Sequence, residues 1–282
     1  MNKGNILSDK DAMKFFADYI YNENGMFYDV EKDAYRIEER LKQLCSKYHQ
    51  ESFDDLLTYF SMKITSEMKT YVIDLFTNNE TFFFRDMEVF KIFVESIVKP
   101  YILKKGLHTK YKLWINACSS GQEVYTVLMA IKEKFPEYPL ENIFIHATDI
   151  CEEALSKAKK GVYSNQDMNR GLPIQLVMKY FTQNEDDDTW SVKDILKNQV
   201  TWGRFNLTKD PYPLGKYHSV FCRNVLIYQK KENKKEIFEN LFASIPEEGW
   251  LLLGAGESLL GMDLPYKNPL PNGTMFFHKK SS

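Results

Sequence analysis

From about residue 111 onward, short apolar runs alternate with helix-patterned stretches, and this alternation narrows the fold more than any other feature of the chain. Leu113-Trp114-Ile115, Ile143–Ala147, Val200–Phe205, Ser219–Cys222 and Trp250–Leu253 have the length and composition of buried strands. Between them lie helical patterns: one carrying Tyr125, Leu128, Met129 and Ile131, one around Ala154–Lys159, and one over Ile237–Ile245. Parallel neighbours need a long crossover, usually a helix, so strands alternating with helices predict an α/β fold with a parallel, doubly wound sheet. A last β segment is expected at Thr274–Phe277, after Pro269, Pro271 and Gly273.

The first seventy-odd residues show no strand pattern. Met13, Phe16, Ala17, Ile20 and Tyr21 follow a cap-like Ser8-Asp9-Lys10-Asp11 at helical spacing, and Gly25 closes that helix. Ile37, Leu41 and Leu44 mark a second helix. Leu56, Leu57 and Phe60 behind Ser52 mark a third, and Tyr71, Val72 and Leu75 behind Ser66 a fourth. The expected organisation is a small all-helical domain over residues 1–76 and a linker helix over 77–106 that stops near Pro100 to Gly106. A sheet domain over 107–282 follows, with a small β-subdomain at about 179–199.

With 282 residues, 44% hydrophobic and 15% aromatic, the chain can build two cores, and intrinsic disorder is excluded. The 37 Lys+Arg against 39 Asp+Glu leave no basic field for nucleic acid or an anionic membrane. Cys45, Cys118, Cys151 and Cys222 lack CxxC spacing and the five histidines are scattered, which points to free thiols in a reducing compartment and to no metal. The N-terminus is polar and no apolar run approaches membrane-spanning length, so a cytoplasmic protein without membrane insertion is expected.

In an open α/β sheet, ligands bind outside the carboxyl ends of the strands. The first strand runs into Ala117-Cys118-Ser119-Ser120-Gly121, whose small residues let backbone approach a ligand, and Asp149 ends the second strand where ribose hydroxyls bind in nucleotide folds. One glycine is not a G-x-G-x-x-G fingerprint, and a plain strand–helix turn accounts for it equally well. GxxxxGK[ST] and GxSxG are both absent, which argues against phosphoryl transfer and acyl hydrolysis. A nucleoside ligand without a phosphate cradle suits S-adenosylmethionine. Glu123, just inside the next helix, could meet that ligand's cationic part or only stabilise the helix N-terminus.

Five segments, in order, resemble one family. Thr77-Asn78-Asn79-Glu80-Thr81-Phe82-Phe83-Phe84-Arg85 is similar to the TxNxTxFFR run of the CheR family of chemotaxis receptor protein-glutamate O-methyltransferases. Residues 117–126 resemble its AxSTGEEPYS loop, and Ala147-Thr148-Asp149-Ile150 through Gly161-Val162-Tyr163-Ser164 its ATDI…LxxAxxGxYS run. Phe205-Asn206-Leu207 and Phe221-Cys222-Arg223-Asn224-Val225-Leu226-Ile227-Tyr228 resemble FNL and FCRNVxIYF.

The resemblance implies a Rossmann-like S-adenosylmethionine-dependent methyltransferase fold with a helical N-terminal domain, yielding S-adenosylhomocysteine as product. It implies that Asn79, Thr81 and Arg85 line the cofactor site, with Arg85 nearest the reacting centre. Glu123 would face the cofactor's amino-acid or ribose part, Asp149 the ribose, and Asn206 and Leu207 the adenine. Arg223 and Asn224 would lie beneath the methionine moiety, and Tyr228 near the transfer centre. The partner it implies is the acidic helical bundle of a methyl-accepting chemotaxis receptor.

The chain also departs from the family. Residues 1–76 hold 10 Lys+Arg and 14 Asp+Glu where a basic domain is usual; Arg40 matches a basic position, but Ser46 replaces a second arginine. Gly256 replaces the serine of the GxSE segment, and no glycine occurs between Tyr180 and Val200, so binding of a receptor tail peptide is not expected. Two alternatives remain: a methyltransferase of another acidic helical protein, and a noncatalytic S-adenosylmethionine-binding regulatory module.

Overall fold

A computed structural model describes residues 9–185, 187–257 and 276–279. The chain divides into two compact units. One comprises residues 1–78 with 206–209 and 228–234; the other comprises 79–205, 210–227 and 235–282.

The first unit is built on α1 (Asp9–Asn24), α2 (Ala34–Tyr48), α3 (Phe53–Met62) and α4 (Ser66–Phe76). Each helix buries the apolar stripe its sequence spacing supplies: Phe16 and Ile20, then Ile37, Leu41 and Leu44, then Leu56 and Phe60, then Val72 and Phe76. Phe16 sits edge-on to Phe60 at 5.2 Å and parallel to Phe76 at 6.4 Å. The Tyr28 hydroxyl closes the cluster by donating to the Phe76 carbonyl at 2.5 Å. Ser52 caps α3 through the Asp55 amide at 3.1 Å, as expected. The cap of α4 is Thr65, whose side chain accepts from Met68 N at 3.2 Å; Ser66 already has helical backbone, so the expectation for Ser66 is corrected by one residue. Ser8, the cap expected for α1, lies outside the described residues. Gly25 turns the chain at φ +76°, where a Cβ would lie 2.2 Å from Gln229 Oε1.

The second unit opens with α5 (Met87–Ile92), a π-helical turn at Phe93–Val98 and α6 (Lys99–Lys105). The helical run ends at Gly106, within the Pro100 to Gly106 stop that the sequence suggests. Proline at the first turn of α6 lacks only an N–H that is spare there, and the π turn absorbs the change of pitch.

The central sheet contains β1 (Tyr111–Asn116), β2 (Ile143–Asp149), β6 (Val200–Arg204), β7 (Ser219–Cys222), β8 (Trp250–Leu253) and β9 (Phe276–His278). Their order is β6-β2-β1-β7-β8-β9. All neighbours are parallel except β8 and β9, which run antiparallel. The strand order therefore reverses between β1 and β7, the switch point at which such sheets bind ligands. Residues 274 and 275 of the last expected strand lie outside the described residues.

Helices α7 (Gln122–Lys134), α8 (Glu152–Lys160) and α12 (Lys231–Ser244) supply apolar faces around the sheet. Leu113, Ile115, Ile143, Ile145 and Phe221 form one core with Val124, Leu128 and Ile131. Trp114 is fully buried and donates its indole N–H to Thr148 Oγ1 at 2.9 Å, which satisfies its one polar atom.

A second sheet holds β3 (Val162–Ser164), β4 (Phe181–Gln183) and β5 (Thr189–Val192) in the order β3-β5-β4, all antiparallel. The subdomain expected at about 179–199 holds β4 and β5; the third strand, β3, comes from the Gly161–Ser164 run. Short helices α9 (Asn165–Asn169), α10 (Ile174–Tyr180) and α11 (Asp194–Lys197) flank it. Phe83, fully buried, packs edge-on against Tyr163 at 5.0 Å and Phe181 at 5.5 Å. Cys118, Cys151 and Cys222 are buried free thiols and Cys45 is half-buried. No described helix is long and apolar enough to cross a membrane.

Replacing Phe16 by Ala removes a fully buried ring from the aromatic cluster of the first unit and is expected to cost about 3–5 kcal/mol of stability. Urea unfolding followed by tryptophan-independent far-ultraviolet dichroism measures it; a loss below about 1 kcal/mol would mean the helices are held by other contacts.

Candidate functional site

The exit of β1 is a tight turn in which two non-glycine residues take left-handed backbone: Ala117 at φ 51° and Ser119 at φ 50°, before Gly121 at φ 89°. Such conformations persist only where surrounding bonds enforce them. Here Cys118 N donates to the Thr148 carbonyl at 3.0 Å and Ser119 N to Asp149 Oδ2 at 2.7 Å. Asp149 Oδ1 accepts from Cys151 N at 2.9 Å, so this buried carboxylate receives one backbone amide on each oxygen and ties the exits of β1 and β2 together. Ser119 Oγ donates to the Asn79 carbonyl at 2.8 Å, and Asn79 Nδ2 donates to Cys151 Sγ at 3.2 Å. Asn79, Ser119, Asp149 and Cys151 are thus brought into one cluster from three distant parts of the sequence.

Gly121 has a steric reason. A Cβ there would lie 2.9 Å from Ala158 Cβ and 3.2 Å from its Cα. Tyr163 holds the same turn by donating to the Ser120 carbonyl at 2.7 Å. Burial, with the charges of Asp149 and Glu123 nearby, pushes the Cys118 thiol well above its usual value, so it is a packed neutral group.

A second cluster forms at the exit of β7. The Arg223 side chain is 1% exposed, with Nη1 2.5 Å from Glu123 Oε2 and Nη2 2.6 Å from Asp86 Oδ2. Nη2 also donates to the Arg85 carbonyl at 3.4 Å, and the guanidinium lies over Phe90 at 5.4 Å. Glu123 is therefore already matched with a cation of the protein. The charge that sequence reading offered to the cofactor is shared with Arg223, and Arg223 is spent on protein groups.

Asn224 follows in left-handed backbone at φ 60°. The next two amides, of Val225 and Leu226, donate to Glu257 Oε1 at 2.8 and 2.7 Å, and Gly254 N donates to Oε2 at 2.5 Å. Burial raises the Glu257 carboxyl above its usual value against the pull of these amides. Sequence reading passed over Glu257; the signal was its place three residues after Gly254, where a Cβ would press on Asn224 N at 2.9 Å. Open space surrounds Gly256, so nothing in the structure explains its substitution for serine.

Thr81 is half-buried and Arg85 is half-buried. Arg85 Nη1 donates to the Glu80 carbonyl at 3.4 Å and its guanidinium lies 5.7 Å from the Phe82 ring centre. The carboxylates adjacent in sequence are engaged elsewhere, Asp86 with Arg223 and Glu88 with Lys91 at 3.3 Å. The remaining expected residues belong to the first unit. Asn206 Nδ2 donates to the Glu23 carbonyl at 2.8 Å while its Oδ1 accepts from the Thr208 amide at 2.9 Å. Leu207 is half-buried beside it in sequence. The Tyr228 hydroxyl accepts from Asn78 Nδ2.

The strand order is that of a Rossmann-like sheet. The turn at Gly121 and the Asp149 carboxylate lie together at its switch point, where such sheets bind ligands. Residues 79–269 match the family described as CheR methyltransferase, SAM binding domain. The chain is 33% identical over 249 residues to a chemotaxis protein methyltransferase of Vibrio anguillarum, covering 88% of this chain and 89% of that protein. It is 32% identical over 241 residues to one of Pseudomonas putida, covering 84% and 86%. With one of Borreliella burgdorferi it shares 30% identity over 263 residues, or 91% of each. Among solved structures, magnesium protoporphyrin IX methyltransferase of Synechocystis with bound SAM superimposes over 70% of this chain and 72% of that one, at 17% identity and TM-score 0.33.

The chain belongs to the CheR methyltransferase family. It is an S-adenosylmethionine-dependent methyltransferase.

Arg223→Met keeps the volume of the buried side chain but strands Glu123 without its cation, and is expected to cost about 3 kcal/mol in urea unfolding. Adding Glu123→Gln recovers part of that loss. A single-variant cost under about 0.5 kcal/mol would show that the pair does not hold the site together.

Proposed function

We propose that the chain transfers the methyl group of S-adenosylmethionine to side-chain carboxylates of glutamates on the cytoplasmic helical bundle of chemotaxis receptors, giving glutamyl methyl esters and S-adenosylhomocysteine. The observation that carries this reading is Arg85. Among the described residues no carboxylate oxygen lies within ion-pairing distance of its guanidinium, whereas the buried Arg223 next to it has two. A half-buried cation left unmatched beside the cofactor cluster suits a carboxylate brought by a substrate.

The chemistry asks little else of the protein. A glutamate carboxylate attacks the sulfonium methyl in line; a C–O bond forms as the C–S bond breaks, and the negative and positive charges vanish together. A free glutamate with pKa about 4.3 is ionised near neutrality, so no general base is needed. The work left to the enzyme is alignment, which can supply several kcal/mol. Arg85 supports alignment by charge-assisted hydrogen bonds, but a very tight grip would stabilise the ground-state anion, so geometry matters more than charge. Asp149 fits the ribose hydroxyls as an acceptor. Asn79 and the 117–121 turn fit as the walls beside it, and the paired Glu123 fits as a partner of the ligand's cationic end.

Docking is the point at which a second reading has support. The first unit is acidic, with 14 Asp+Glu against 10 Lys+Arg over residues 1–76. Arg40, the basic position that resembles the family's, donates to the carbonyls of Leu75 at 3.0 Å and Arg36 at 3.1 Å and lies over Tyr28 and Phe76. Long-range attraction to an acidic bundle is therefore weak, and methylation of a different acidic helical protein is the alternative.

Incubation with methyl-labelled S-adenosylmethionine and a purified receptor helical hairpin is expected to give a base-labile methyl ester, with Arg85→Ala removing at least about tenfold of the rate, equivalent to about 1.4 kcal/mol. Asp149→Asn is expected to weaken binding of S-adenosylhomocysteine in calorimetry. Label resistant to mild base, or unchanged turnover of Arg85→Ala, overturns the reading.

A further inference from the structure

One cluster at the rim of the site is absorbed by none of the roles above. Arg170 follows α9, and its Nη2 lies 2.6 Å from Glu80 Oε1. Its guanidinium also lies 4.2 Å from the centre of the Phe82 ring, the same ring that carries Arg85 at 5.7 Å. Two guanidinium groups thus approach one aromatic ring, and the charge of one carboxylate, Glu80, acts on both. Arg85 is already within reach of that residue, since its Nη1 donates to the Glu80 carbonyl. The Glu80 carboxyl is held below its usual value first by the hydrogen bond and charge of Arg170, and then by Arg85.

The backbone carrying Arg170 has little freedom to move away. Gly171 takes φ +85°, and a Cβ on it would lie 2.2 Å from the Phe83 carbonyl oxygen and 3.4 Å from Phe82 Cδ2. The 170–171 segment is therefore seated directly on the Phe82-Phe83 backbone, and Phe83 is itself locked between Tyr163 and Phe181. Arg170 and Glu80 are both more than half exposed, at 53% and 59% of the side chain. An exposed pair of this kind contributes little to stability. Its consequence lies in what it withholds from Arg85.

We propose that Arg170 is a positioning residue that captures Glu80 and so leaves the Arg85 guanidinium available to the carboxylate of an acidic protein substrate. This rests on the transfer to a side-chain carboxylate proposed above. Without Arg170, the Glu80 carboxylate, whose charge already acts on Arg85, is released to compete with the incoming glutamate.

The test compares Arg170→Ala, Glu80→Gln, the double variant and Arg85→Ala. Initial rates of labelled methyl transfer to a purified receptor helical hairpin are read at subsaturating acceptor. Modification of Arg85 by phenylglyoxal, read by peptide mass spectrometry, needs no acceptor. Arg170→Ala is expected to lower the transfer rate about three- to fivefold, the size of an exposed ion pair competing for Arg85, and to slow phenylglyoxal modification of Arg85 in step. The double variant is expected to recover both, and Glu80→Gln alone to match the parent protein. Calorimetric affinity for S-adenosylhomocysteine is expected to stay the same in Arg170→Ala, which damage to the fold would not allow. No change on Arg170→Ala, or a loss that Glu80→Gln does not restore, overturns the inference while leaving the proposed reaction intact. Absence of any ester, or full activity of Arg85→Ala, overturns the proposed reaction itself, and the labelling of Arg85 then shows separately whether Glu80 moves to it.

Discussion

A guanidinium removed from water must be met by carboxylates, and much of the catalytic unit is arranged around that requirement at Arg223. Its partners come from the first turn of α7 and from the residue ahead of α5, so one buried cation joins the β7 exit, the β1–α7 turn and the Thr77–Asp86 segment. Loss of the cation would leave a largely buried carboxylate without compensation, which is far more costly than the pair is favourable. Position, more than stability, is what the pair provides: Arg223 donates to the Arg85 carbonyl and to the Asp86 carboxylate, and so holds the backbone that carries Arg85.

Around this anchor, positive charge is divided by function. Arg223 is spent on the protein, Arg40 on carbonyls and aromatic faces, and Arg170 on Glu80. Arg85 and Arg40 have no carboxylate partner among the described residues, and of the two Arg40 is engaged by two backbone carbonyls and two aromatic rings. The proposed transfer to a carboxylate asks for no base, and an oriented, uncommitted cation suits it. Carboxylates are treated the same way. Asp149 and Glu257 are each bound by backbone amides, one holding the turn after β1 and the other holding the loop after β7.

Most of the sheet was legible because buried strands and amphipathic helices announce themselves within a dozen residues. β7 and β8 fall on the expected bounds, and α2 and α3 bury the stripes read from spacing. The misreadings have local causes. Ser66 and Thr65 are both competent caps, and backbone geometry chooses between them. β3 is three residues long and gains its identity only by pairing with β5. Glu257 looked like an unremarkable acid until the fold placed three amides against it.

Sequence alone determined the class of the fold, the helical character of the first unit, the acidic balance of that unit and, through five ordered motifs, the family and its cofactor. These are properties of short segments, set by periodicity and by side-chain chemistry that survives in any context. Tertiary structure alone decided which charges are spent and which is left over. Arg223 and Asp86 are 137 residues apart in the chain, and Arg170 and Glu80 are 90 apart. No spacing rule pairs such residues, because an ion pair depends on distance in space and on the water excluded around it, and both are fixed only when the sheet has closed.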